Sequence, residues 1–277
     1  MSVIQVGLVD KTGKLDPDFV HAAAAALNIQ VMRDLPQFWN VQATVQHLPN
    51  PKKIPVGVWP VFLVAKLPPG EGGVHLDKKN QPYSLVIGTP QSNDWTIDAS
   101  HETLEMLVDP SGNRLQTSNA IKISGKGVQD APGQFQYLVE ACDPCEANEY
   151  GYTVQGIAVS DFITPHYYDP VPTSGTRYSF AGHIQRPRQL LPGGYISFIN
   201  PQNDEFQQIL FLGAKPVLRN LGPATGASLR SFVDSKTMAL AQKARKPNRG
   251  LTDLAKAHRA LIDQASLRRA DSFEMAG

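Results

Sequence analysis

The segment DASHETLEMLVDPSGN, residues 98–113, decides how this chain is read. Leu104, Leu107 and Val108 recur at helical spacing, which predicts a helix with one side against a core. His101, Glu105 and Asp109 fall four residues apart and form a polar column on another face, with Glu102 beside it. A helix that buries such a column must find partners for it. A metal ion is one such partner. Positions i and i+4 present two ligands to the same side of one ion, and a neighbouring glutamate can poise water for attack. The plainer alternative is a solvated acidic face, with His101 in an ordinary hydrogen bond.

The residues before this helix supply its context. Val3–Val9 predicts a first strand. A helix follows, capped by Asp16, opened by Pro17 and favoured by Asp18, and it runs to about Arg33. Val41–His47, Trp59–Lys66, Val74–Asp77 and Tyr83–Gly88 predict further strands, with Val74–Asp77 at an edge. This order of elements, ending in a helix that reads H-E-x-x-E, resembles the N-terminal half of the zincin metallopeptidases. In that family the helix carries H-E-x-x-H. Both histidines bind zinc, the glutamate between them is the general base, and peptides lie along the edge strand. The resemblance covers roughly residues 1–110 and implies His101 as first ligand, Glu102 as general base and Glu105 in place of the second histidine. Zinc accepts carboxylate oxygens. A carboxylate-rich site also suits calcium or manganese, and its extra negative charge makes a bound water less acidic.

A second acidic stretch is YLVEACDPCE, residues 137–146, in which Glu140, Asp143 and Glu146 recur every third residue. In the gluzincin branch the third zinc ligand is a downstream glutamate. The resemblance therefore implies Glu140 as that ligand, with Asp143 as second choice. Asp109 and Glu146 would stand behind the ligands and support them. The metzincin extension does not fit, because Val108 stands in place of its glycine and Ser111 in place of its last ligand. The other reading of the stretch is an acidic, calcium-binding loop. Cys142 and Cys145 form a single C-x-x-C, half of a zinc-ribbon site, and are read as two thiols or a local disulfide in a turn. Zincins often stabilise the oxyanion with a downstream tyrosine or histidine, which would give His166 and Tyr167 catalytic roles. Packing is the alternative for both. His75 faces either the cleft or a cross-strand partner, and His183 has no supporting spacing.

Composition sets the remaining bounds. The chain has 277 residues, 42% hydrophobic and 18% charged, which predicts a folded core. A net charge of +1 predicts no specific nucleic-acid binding, and the lack of a phosphate-binding loop motif predicts no nucleotide site of that kind. No apolar run is long enough for a membrane span. The opening MSVIQVGLVDKTG lacks a basic-then-apolar leader, so a cytoplasmic protein or leaderless release is expected.

The expected class is α+β. A zincin-like subdomain occupies residues 1–115, and a β-rich subdomain with strands at Gln134–Ala141, Tyr152–Ile163, Tyr178–Gln185 and Gly194–Asn200 occupies 116–222. A helical basic tail at 223–277, with helices over 226–246 and 251–269, offers a face to a protein partner. The expected function is metal-dependent hydrolysis of peptide bonds in a peptide or protein substrate. The cofactor would be a divalent metal, zinc first and calcium or manganese otherwise. The alternative is a catalytically inactive zincin-like module that binds metal for structure or interaction. An iron-dependent oxygenase would want two histidines and one acid.

Overall fold

Short apolar runs between turns lay five strands side by side in the first sheet of the computed structural model, which describes residues 3–67, 73–78, 81–125, 127–225 and 228–244. They are β1 (Ile4–Asp10), β2 (Ala43–His47), β3 (Val58–Val64), β4 (Gly73–Lys78) and β5 (Gln81–Ile87), ordered β2-β1-β3-β5-β4. Neighbours are parallel except β4, which pairs antiparallel with β5 and forms the edge. α1 (Pro17–Ile29) starts where its local chemistry predicts, with the Asp16 carboxylate accepting from the Asp18 N–H at 3.0 Å. The helix then widens into a π turn over Gln30–Asp34. That turn places the Gln30 amide in the core, where it donates to Ser160 O at 3.0 Å and Tyr152 Oη at 3.1 Å.

α2 (Trp95–Val108) is the predicted helix. It packs on β3, β4 and β5, and also on β9 (Ile157–Val159), which forms a hairpin with β8 (Tyr152–Val154). Every residue from Ala99 to Val108 is buried, the polar ones included. Its hydroxyls tie it to the π turn and to the chain around β9. Ser100 Oγ donates to Gln30 Oε1 at 2.7 Å and accepts from Ser160 N at 3.0 Å, and Thr96 Oγ1 donates to Ala158 O at 2.8 Å. The solvated acidic face is thereby excluded.

The second sheet holds β6 (Leu115–Ser124), β7 (Gly127–Leu138), β10 (Tyr195–Asn200), β11 (Glu205–Leu210) and β12 (Val217–Gly222), in the order β12-β11-β10-β7-β6 and antiparallel throughout. α3 (Leu229–Ala244) seats Phe232 and Val233 against Leu138 and Phe206. The described residues thus form a mixed α+β structure dominated by its sheets. A single cluster of buried residues joins the two expected subdomains, taking Val6 and Leu27 from the first and Tyr137 and Phe198 from the second.

Some expectations change. Tyr152–Ile163 is broken into β8 and β9, because Gln155 and Gly156 turn the chain at φ 49° and 79°. Tyr178–Gln185 is not a strand. Only Ser179 bridges, to Ile163, and the chain then turns at Gly182, φ 81°. The helix expected over 251–269 lies outside the described residues. No described helix is long and apolar enough to cross a membrane.

Buried Arg188 fastens the long β6–β7 hairpin to the segment after β9. Its guanidinium donates to Asp130 at 2.7 and 3.1 Å and to Ser118 Oγ at 2.7 Å, and it also reaches Asp169 O. Burial pushes the Asp130 carboxyl up, but the hydrogen bonds and charge of Arg188 outweigh it and hold the group below its ordinary value. A carboxyl depressed on folding stabilises the protein above its unfolded pKa, and that stability is lost as pH falls through the folded value. Asp130→Asn should therefore be less stable than wild type at neutral pH, with the gap closing in acid. Urea unfolding across a pH series measures this, and a gap independent of pH would refute it.

Candidate metal centre

Helical spacing puts His101 and Glu105 one turn apart on α2, with Nε2 and Oε2 separated by 3.2 Å. The segment after β7 then folds back onto the helix. Its Cys142 N–H donates to Glu105 Oε1 at 3.0 Å, and this contact sets Asp143 Oδ1 3.3 Å from His101 Nε2. His101, Glu105 and Asp143 are all buried, and one donor atom from each lies within 4.8 Å of the others. A second group meets the first at Glu105. His75 Nδ1, on β4, is 3.5 Å from Glu102 Oε2 and 3.7 Å from Glu105 Oε2. Gly73 makes room for this approach, since a Cβ there would sit 2.7 Å from Glu102 Cγ.

Arg230 enters from α3 and was not foreseen. Its Nη1 is 2.7 Å from Glu105 Oε2 and 3.7 Å from Asp143 Oδ2, it contacts Glu140 Oε2, and its Nε donates to Asp234 at 2.9 Å. The side chain is only 1% exposed. The start of α3 is held by the loop after α2, where Arg230 N donates to Gly112 O at 2.9 Å. Gly112 has φ 62°, and a Cβ there would fall 2.7 Å from Arg230 Cβ, so this close approach requires glycine. The sequence signal for the residue was the i,i+4 pair of Arg230 and Asp234 within a predicted helix.

The electrostatics follow from burial against pairing. Burial drives the His101 imidazole down, but Glu105 and Asp143 outweigh it and raise it well above its ordinary value. Burial pushes Glu105 up, and Arg230 with His101 reverses this to hold it far below the usual carboxylate range. Asp143 is raised well above its ordinary value, by burial first and then by the charge of Glu105. Burial also lifts both thiols, Cys142 and Cys145, which are free. Neutral buried thiols are poor nucleophiles and poor ligands, so the C-x-x-C contributes packing.

The predicted residues divide accordingly. His101, Glu105 and Asp143 come together, Glu102 lies beside them, and Glu140 meets the same guanidinium as Glu105. Glu146 is buried, and its charge reaches Asp143. Asp109 instead fastens the loop after α2, accepting from Arg114 N at 2.7 Å. Exposed His166 pairs with Asp169 at 2.9 Å, and buried Tyr167 Oη donates to Gln189 O at 3.0 Å, so neither joins the cluster. Tyr195 on β10 does feel it. Burial first, then Asp143 and Glu146, raise its phenol well above the ordinary value.

The donor set suits a cation. An imidazole with carboxylates is chemistry that zinc accepts and that harder divalent ions favour as carboxylates are added. Glu140 already pairs with Arg230, but neither Asp143 oxygen has a well-formed hydrogen bond among the described residues. Buried carboxylates in that condition call for a positive partner. Comparisons with family models, curated proteins and solved structures find no match to this chain.

In chelator-treated protein, Arg230→Met should cost about 3–5 kcal/mol, because it leaves Glu105 and Glu140 buried without their cation. Saturating zinc should recover part of that loss by binding the folded state. Urea midpoints with and without zinc test both, and an unchanged midpoint in chelator would contradict the first.

Proposed function

We propose that this protein is a divalent-metal-dependent hydrolase of peptide bonds, built on a zincin-like plan. The observation that carries this reading is the convergence of His101 Nε2, Glu105 Oε2 and Asp143 Oδ1 within one buried space, with Glu102 adjacent. The first sheet supports it. An antiparallel edge strand, β4, lies against the helix that carries the H-E pair, as the zincin resemblance implies.

His101, Glu105 and Asp143 would hold the ion, with Glu140 beside them. The ion, zinc by first choice and manganese or calcium otherwise, supplies a Lewis acid for the scissile carbonyl and lowers the pKa of water. Glu102 takes the proton of the attacking water on its carboxylate and returns it to the leaving amine. It is buried beside the three donors, so its carboxylate stands next to where that water would be held. The edge of β4 presents backbone N–H and C=O groups to an extended peptide, which adds as a further strand. Arg230 holds Glu105 ionised and oriented.

A second reading is favoured by the same arginine. A guanidinium already compensates Glu105 and Glu140, which suits a catalytically inactive module whose buried charges fix its structure. Glu102→Gln separates the two. On the hydrolase reading the variant retains zinc on His101, Glu105 and Asp143, measured by mass spectrometry, and loses at least about 100-fold in turnover of a peptide library. Zinc should disappear from the His101→Ala, Glu105→Ala double variant. Undiminished turnover in Glu102→Gln would end the mechanism, and metal without hydrolysis in wild type would favour the inactive module.

A further inference from the structure

We infer that the centre has a second cation position, formed by His75, Glu102 and Glu105 and joined to the first through the shared Glu105 carboxylate. This rests on the reading that His101, Glu105 and Asp143 hold an ion.

The argument starts from His75. It is 2% exposed, on β4, and aimed at α2. Neither ring nitrogen has a hydrogen-bond partner among the described residues. An imidazole buried without a hydrogen bond on either nitrogen is costly unless something else binds it. The atoms nearest Nδ1 are carboxylate oxygens, Glu102 Oε2 at 3.5 Å and Glu105 Oε2 at 3.7 Å. Both separations exceed a good charge-assisted hydrogen bond. They match the spacing of donors arranged around one ion, and one donor atom from each of the three residues lies within 4.8 Å of the others.

His75 does not complete the first group, which contains His101 and Asp143 but not His75. The two groups meet only at Glu105. A carboxylate shared between neighbouring donor sets is how two ions are held roughly 3.5–4 Å apart in two-metal hydrolytic centres. The charge balance agrees. Glu102, Glu105, Glu140, Asp143 and Asp234 are buried around the single guanidinium of Arg230. One divalent ion in the first position still leaves acid in excess, and a second reduces that excess.

The arrangement is compatible with the proposed use of Glu102. A carboxylate has two oxygens. Oε2 faces His75 and serves the ion, while Oε1, against Gly73 on β4, remains to accept a proton. The peptide edge of β4 and the second ion would then share one strand, because His75 lies two residues from Gly73.

Metal stoichiometry of the full chain decides the matter. Purified protein is loaded with manganese, dialysed and measured by mass spectrometry, beside His75→Ala and His75→Gln variants. Circular dichroism and thermal melting confirm that each variant is folded. The expected result is two equivalents in wild type, falling twofold to one in either folded variant. Electron paramagnetic resonance of the manganese form should show an exchange-coupled pair in wild type and an isolated ion in the variants. One equivalent in wild type that persists without His75 overturns the second position and leaves the first intact. One equivalent that vanishes without His75 also overturns it, and makes His75 a ligand of a single ion. No metal in wild type overturns this inference together with the hydrolase reading.

Discussion

The Glu105 carboxylate is the point through which the candidate centre is assembled. Its Oε1 accepts the Cys142 N–H at 3.0 Å and so draws the acidic segment after β7 onto α2. Its Oε2 faces His101 at 3.2 Å, Arg230 at 2.7 Å and His75 at 3.7 Å. One side chain thus relates α2, the edge strand β4, the 139–146 segment and α3. A buried anion can do this because it accepts several donors at once, and because leaving it unpaired costs several kcal/mol.

That constraint extends to the charges around it. Each acid near Glu105 must be matched by a cation, a proton or a hydrogen bond. Without an ion, the structure uses all three. Arg230 compensates Glu105 and Glu140, His101 is driven toward its protonated form between two carboxylates, and Asp143 is pushed toward its neutral form. An ion held by His101 and Asp143 would compete with protons for the same groups, so its binding would release protons. The thiols of Cys142 and Cys145 play no part in this exchange, since burial keeps them neutral.

What the sequence revealed was local. Asp16-Pro17-Asp18 announces α1 because capping is settled within three residues. The strands of the first sheet are legible as apolar runs, and α2 as helical spacing with a histidine and glutamates on one segment. β6, LQTSNAIKIS, was not legible. Its exposed residues are mostly polar, and it forms because β7 pairs along it from Leu115↔Leu138 to Ser124↔Gly127. β12 was hidden for a similar reason, since Val217 and Leu218 are exposed and its order comes from β11. At the site, the H-E pair was readable because its members are neighbours in sequence. Arg230 stands 125 residues from Glu105, and no periodicity links them. The choice of Asp143 over Glu140 beside His101 depends on how the chain turns after β7, which spacing does not fix.

These contacts also explain why the helix reads H-E-x-x-E. A histidine at 105 would give one acceptor nitrogen in its neutral form, whereas two oxygens are used there at once. If that nitrogen bound an ion, the Cys142 N–H would lose its acceptor and the acidic segment its anchor. If it accepted from Cys142, Arg230 would be buried without its strongest short contact to α2. A neutral imidazole would also offer Arg230 no negative charge, and a protonated one would repel it. The glutamate therefore goes together with Arg230, and His75 on the neighbouring strand faces the same oxygen. Nitrogen donors sit on α2 and β4, the carboxylate stands between them, and α3 supplies the permanent cation that keeps that carboxylate ionised.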